Sequence, residues 1–313
     1  MANKLAISGL LKELNAYGVQ EMQYLTSGNV FFVDSGATNA SDTTDDVHGL
    51  SWEYPHAKID YAVGRCTADN GDVIYVAPGH AETVDSAGDL SLDVAGITVI
   101  GLGRGDKRPA ITIGKDSVAG ADVNVDAAEI TLKNMIFKIS GVNVTAMIDV
   151  NADGFTLEDC DIQMHVASYE AVTGVDINGG SANAADRCTI RNCTFVATTT
   201  DGTDRAIELG EVADRVVIEG CVFWGDYADA CVHNPTGKVL TNLLIRDCVM
   251  ENDNGNNTYC IELVSACTGI LLRNAYKTGA IAPGAVDPGS CASIECYHDD
   301  DTDVSGILDP AAT

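Results

Sequence analysis

Aromatic side chains and positive charge are both scarce in this sequence. Phe, Trp and Tyr supply 6% of the 313 residues, with only two tryptophans, whereas glycine contributes 31. That balance argues against a core built on large rings and suits many short strands joined by tight turns. Lys and Arg total 18 against 46 Asp and Glu, a formal net charge of −28. Nucleic acid and anionic membranes would repel such a chain, so neither is expected as a partner. An acidic polymer such as pectate would be repelled as well, unless cations bridged it. No apolar run is long enough to cross a bilayer, and no basic segment followed by an apolar stretch opens the chain. A soluble protein without a secretory signal is expected.

Common catalytic and metal motifs are missing too. There is no Gly-x-Ser-x-Gly elbow, no Ser, His, Asp set that can be ordered, and no CxxC or Cys/His spacing suited to zinc. GLGRGDK from Gly101 has closely spaced glycines but no following helix, so it is not read as a phosphate loop. His298 with Asp299, Asp300, Asp301 and Asp303 lacks the glycine and distal glutamate of a calcium loop. The expectation is therefore no catalytic residue, no metal and no cofactor. Cysteine is plentiful, at 11, but an odd number scattered through a large chain favours reduced thiols in a core over a disulfide framework. Only Cys291 and Cys296 stand as a candidate bridge.

Present instead is a repeat. ITLKNMIF from Ile130, FTLEDCDI from Phe155, CTIRNCTF from Cys188, VVIEGCVF from Val216, LLIRDCVM from Leu243 and LLRNAYK following Ile270 are copies of one pattern, with an earlier one at ITVIGLG from Ile97. Successive spacings are 33, 25, 33, 28, 27 and 27 residues. Each copy alternates apolar and polar positions and then places Asn134, Asp159, Asn192, Gly220, Asp247 or Asn274, residue types that tolerate a left-handed bend. The inward position after the bend reads Met135, Cys160, Cys193, Cys221, Cys248 and Ala275, a stacked column of buried thiols. A further strand recurs between the copies at MIDV from Met147, GVDI from Gly174, AIEL from Ala206, ACVH from Ala230, CIEL from Cys260 and SIEC from Ser293. Small residues at Ala95, Ala128, Ala152, Ala185 and Ala213 allow a third corner. Three short walls per coil make a prism.

These residues resemble the pectate-lyase-like superfamily of right-handed parallel β-helices over roughly Val73 to Cys296. The resemblance implies an all-β, single-stranded right-handed parallel β-helix with a short N-terminal helical cap. We expect an N-terminal arm and cap over 1–72, the β-helix over 73–298 and an acidic tail over 299–313. Within the arm, residues 4–25 have helical spacing, Ser35 to Gly49 reads as a surface loop, and SWEYPHAKIDYAVGRC from Ser51 reads as a second helix.

Four outward columns bear on function. The recurring further strand presents Asp149, Asp176, Glu208, Val232, Glu262 and Glu295, an acidic wall, with His233 expected to point inward beside Cys231. The first strand presents Lys133, Glu158, Arg191, Glu219, Arg246 and Arg273, whose alternating signs can pair between coils. Two residues earlier the column changes from Thr131, Thr156 and Thr189 to Val217, Leu244 and Leu271. Beyond the bend, Asp161 and Thr194 give way to Val222, Val249 and Tyr276. An apolar strip of this kind calls for a cover, and self-association, with a trimer favoured, is the expected one.

GNVFFVDSG from Gly28, SWEYPHAKIDYAV, ADNGDVIYVAPGHAETV and LDVAGITVIGLG look like phage-encoded β-helix proteins. That resemblance implies a non-enzymatic virion protein made in the host cytoplasm: a capsid decoration protein on the head exterior, with the major capsid protein or another virion component as partner. The alternatives are a polysaccharide-degrading enzyme or tailspike-type depolymerase, with acid/base carboxylates among Glu208, Asp226, Asp229 and Glu262, and a carbohydrate-binding adhesin or fibre.

Overall fold

The computed structural model describes residues 26, 28–114, 120–166, 169–179, 185–197, 203–254, 259–278 and 285–300. The expected helix over 4–25, the far part of the acidic tail and most of the Asp299 to Asp303 run lie outside them. Three parallel sheets run the length of the chain. In coil order, wall A extends from Val30–Val33 to Ala292–Ile294, wall B from Ala81–Val84 to Tyr297–Asp300, and wall C from Leu90–Leu92 to Val286–Asp287. Successive strands of a wall come from successive coils, so the chain is an all-β, right-handed parallel β-helix.

The corner between walls A and B is where the sequence places it. Asn134, Asp159, Asn192, Gly220 and Asp247 all have φ between 54° and 63°. In the next coil the bend is at Arg273 (φ 52°), one residue before the expected Asn274. Asn274 is drawn inward instead, because its side chain replaces ladder bonds: its Nδ2 donates to the Ile245 carbonyl at 2.9 Å and its Oδ1 accepts the Cys248 amide at 3.0 Å. Both polar ends of a fully buried amide are thus satisfied.

Inside, each wall contributes columns of apolar side chains. Val99, Leu132, Leu157, Ile190, Ile218, Ile245 and Leu271 stack down wall A, all buried. Each such side chain contributes about 1.5–3 kcal/mol on leaving water. Phe195 and Phe223 stack on wall B with centroids 4.9 Å apart. All 11 cysteines are free thiols. Cys160, Cys193, Cys221 and Cys248 form the column read from the sequence, each donating to backbone carbonyls of its own and the preceding coil. Leu271 and Tyr276, expected on the apolar outer strip, face this core.

The N-terminal end is closed by a cap. Val30–Val33 pairs in parallel with Val73–Val76, so wall A begins inside the stretch read as the arm. The segment after it folds back, with Trp52 edge-on to Phe32 at 4.7 Å, covering an apolar outer patch of Phe32, Tyr75 and Ile100. A Cβ at Gly49 (φ +78°) would lie 2.1 Å from the His56 ring, so only glycine fits that return. The helix expected from Ser51 is confined to Ile59–Val63, because Pro55 keeps the residue before it out of the helical region. Asp60 of this helix accepts the Ser91 amide at 3.0 Å, blunting the open edge of wall C. Buried Glu82 accepts the Ile59 amide at 3.0 Å and lies 3.2 Å from His80, whose Nδ1 accepts the Ser35 amide.

Candidate functional site

In-register parallel pairing puts the residue at a given strand position directly above its counterpart, about 4.8 Å away. On wall A the outward column alternates in sign. Lys133 bonds Glu158 at 3.2 Å, Glu158 bonds Arg191 at 2.9 Å, and Glu219 bonds Arg246 at 2.6 Å. Burial would raise the Glu158 carboxyl, but the hydrogen bonds from Arg191 and Lys133 hold it below the ordinary glutamate value.

Wall C treats charge the opposite way. Its outward column runs Ser91, Asn124, Asp149, Asp176, Glu208, His233, Glu262 and Asp287. The strands Val144–Val150 and Tyr169–Ile177 are long, seven and nine residues, and a short hairpin pairs His165 with Glu170. Their extra length lies at the N-terminal end, toward the corner where wall B turns into wall C.

The stacked carboxylates perturb one another. Burial, and then the negative charges of Glu208 and Asp149, push the Asp176 carboxyl up to about 7 against the pull of Arg205. Burial first, with Asp149 and Asp126 adding, pushes Asp122 up to about 6. Burial also raises Asp149, against a hydrogen bond from Asn151, and Asp126 adds to the rise. Glu262 is raised by burial against the pull of His233. Asp122, Asp149 and Asp176 each keep one buried carboxyl oxygen without a hydrogen-bond partner. A Cβ on Gly210 would come within 2.7 Å of that Asp176 oxygen, so glycine leaves the space before it open.

Among the described residues, Arg205 lies beside this ladder. Arg205, on the strand that carries Glu208, donates to Glu208 Oε2, to Asp204 at 3.0 Å and to Asp229 of the next coil at 2.8 Å. It therefore ties two coils together and holds Glu208 by one oxygen only. His233 lies between Glu208 and Glu262, with Nδ1 4.0 Å from the free Glu208 oxygen and Nε2 3.8 Å from Glu262. Among the described residues, no three or more His, Cys, Asp or Glu side chains converge closely enough to hold a metal ion.

Several expected positions are corrected by the register. Ile207 pairs with Val232 and Glu208 with His233, so Val232 is buried and His233 stands outward. Both Ala-Cys-Val-His and Ala-Ile-Glu-Leu begin with a small residue, and aligning those alanines shifts the column by one. Glu295 is not on wall C: it follows the last wall A strand, at a bend with φ 53°. Leu272, not Arg273, continues the wall A column after Arg246. Of the carboxylates singled out as acid/base candidates, Glu208, Asp229 and Glu262 gather around Arg205 and His233, while Asp226 follows the wall B strand Val222–Gly225 at the corner. Arg205 was missed. Its only signal is a lone base beside Asp204, and its tie to Asp229 exists only once the coils are stacked.

No family model matches the chain, and no curated protein sequence matches it. Solved structures do. A rhamnogalacturonan lyase superposes with a TM-score of 0.52 at 16% identity, over 87% of this chain and 67% of the lyase. A surface adhesin of Streptococcus pneumoniae (TM-score 0.41, 11% identity, 79% and 76% of the two chains) and a pectin methylesterase from Aspergillus niger (0.35, 14%, 91% and 93%) also match. The lyase establishes the parallel β-helix fold. It also removes the ground for expecting a non-enzymatic chain, since a solved structure of this fold is a lyase; at 16% identity the likeness itself shows the fold alone.

Proposed function

We infer that this chain acts on a polysaccharide, cleaving glycosidic bonds by acid–base chemistry on wall C, with Asp176 as proton donor and Glu208 as its carboxylate partner. The observation that carries this reading is their adjacency in register, with Asp176 pushed up to about 7 beside a Glu208 bonded to Arg205. A carboxyl raised in this way beside a second carboxylate has the character expected of a general acid. Strands of adjacent coils lie about 4.8 Å apart, a spacing that lets carboxyls stacked in one column reach the roughly 5–5.5 Å separation of retaining glycosidases.

In that scheme Asp176 gives its proton to the glycosidic oxygen as the carbon–oxygen bond breaks, and the free Glu208 oxygen bonds the anomeric carbon. Water then displaces Glu208, losing its proton to Asp176, so one water is consumed and two sugar ends are released. Arg205 positions Glu208. A net charge of −28 favours a neutral polymer over a polyanionic one.

The test is release of reducing ends from neutral polysaccharides by the purified full chain, with product configuration followed by NMR. Cleavage is expected to fall as pH rises through about 7, where Asp176 loses its proton, and to drop by a factor of roughly 10²–10⁴ in Asp176→Asn. Wild-type activity that persists in both Asp176→Asn and Glu208→Gln, or binding with no turnover, would sink the proposal.

A second reading, a depolymerase carried on a virion with a capsid or tail protein as partner, is favoured by one observation. Ile270 and Ile294 of wall A and Val249 of wall B are exposed large apolar residues toward the C-terminal end of the rod. Mass spectrometry of purified particles tests it.

A further inference from the structure

Two aromatic side chains stand out on the described surface: Trp224 and Tyr297, each 53% exposed. Both are on wall B and both point outward. Trp224 lies between Val196 of the preceding coil and Glu251 of the next. Tyr297 belongs to the neighbouring column, which runs Val222, Val249, Ala275, Tyr297. It is thus three coils further along, about 14 Å at 4.8 Å per coil.

The backbone under Trp224 is closely packed. A Cβ on Gly225 would meet the Tyr227 ring at 2.7 Å and the Ala197 carbonyl at 2.7 Å, and Tyr227 itself is fully buried, its hydroxyl directed to the Trp224 carbonyl. The surface between the two rings is not a continuous apolar face. It includes the Glu251–Lys277 ion pair, at 2.6 Å, a polar stretch between the two rings. Trp224 also precedes by five residues Asp229, the carboxylate that bonds Arg205 around the corner on wall C.

We propose that the outer face of wall B is a second glycan-binding track, on which Trp224 and Tyr297 stack against sugar rings of one neutral polysaccharide strand lying along the rod. Rigid aromatic platforms lose little freedom on binding and present an apolar face to the C–H side of a pyranose. The charge balance selects this occupant. A second copy of the chain would bring another −28 charges to the surface and a polyanion would be repelled, whereas a neutral glycan meets neither penalty. The proposal rests on the polysaccharide reading but concerns binding, which can be separated from cleavage.

The experiment is affinity electrophoresis of the full chain through gels containing galactomannan, dextran or hydroxyethylcellulose, with polygalacturonate as the anionic control. Wild type is expected to be retarded by at least one neutral polymer and not by polygalacturonate. Trp224→Ala is expected to weaken retention roughly tenfold and Tyr297→Ala less, with unchanged thermal unfolding. Asp176→Asn keeps retention if the track is separate from the acid site. Retention without cleavage would leave the track standing and remove the hydrolase reading. Cleavage with wild-type retention in Trp224→Ala would remove the track and leave the hydrolase. Absence of retention on all three neutral polymers, retention by polygalacturonate alone, or a sedimentation coefficient that falls to monomer in Trp224→Ala would each overturn the proposal.

Discussion

Walls A and C share one geometry and use it in opposite ways. Both stack side chains at the same spacing on successive coils, yet wall A alternates Lys133, Glu158 and Arg191 where wall C piles Asp149, Asp176 and Glu208. The paired column lowers the Glu158 carboxyl against its burial; on wall C burial, with the like-charged neighbours adding to it, raises Asp176 to about 7. A parallel β-helix therefore amplifies whatever sign pattern its repeat carries, because every residue meets its own counterpart above and below. Repulsion kept on one wall, when pairing is used on the next, marks wall C as a surface shaped by something other than stability.

The largest effect is expected where pairing is removed. Glu158→Ala takes the shared acceptor from nearly buried Lys133, which keeps Asp159 at 3.4 Å, and from half-exposed Arg191, and chemical denaturation should show a loss of about 2–3 kcal/mol. Because Glu158 is held below its ordinary value, its contribution is present above the usual carboxylate range and disappears as pH falls through the lowered value. A loss under 0.5 kcal/mol would mean that the wall A pairs are ornamental and the contrast with wall C is false.

Wall C should respond with the opposite sign. Asp176 is raised from 3.8 to about 7, so its protonated form favours the fold below 3.8, and that contribution is lost progressively as pH rises to 7. Asp176→Asn should match wild type at acid pH and exceed it by about 2 kcal/mol at pH 8, solvent screening included. A variant less stable than wild type at pH 8 would show that the ladder is structural after all.

Salt should separate the walls least. Raising ionic strength screens repulsion on wall C and attraction in the exposed part of wall A, such as Arg246–Glu219. Shifts under about 1 kcal/mol are expected, upward for Glu219→Gln, which lacks a pair to screen, relative to wild type. Equal salt slopes in the two proteins would blur the distinction.

Much of the fold could be read directly from the repeat. The bend residues from Asn134 to Asp247, the thiol column and the sign alternation from Lys133 to Arg246 all recur at fixed offsets within each copy, so local pattern was enough. The site was only partly legible. Asp149, Asp176, Glu208 and Glu262 fell into one column, but His233 was assigned to the core, because short apolar repeats can be slid by one residue without losing their alternation. Arg273 and Asn274 were exchanged for the same reason. The cap was misread as a longer helix, since helical spacing from Ala57 onward says nothing of what Pro55 prevents upstream.

By itself the sequence determined the three-walled coil, its acidic balance and the residues available to each outer column, because these follow from period-2 alternation and turn chemistry within one repeat. Tertiary structure alone decided which coil sits on which. Loops of unequal length set the register, and register in turn brought Arg205 to Asp229, set His233 between two glutamates and placed Asp176 against Glu208. The chemistry of wall C arises from those inter-coil distances, which no single repeat contains.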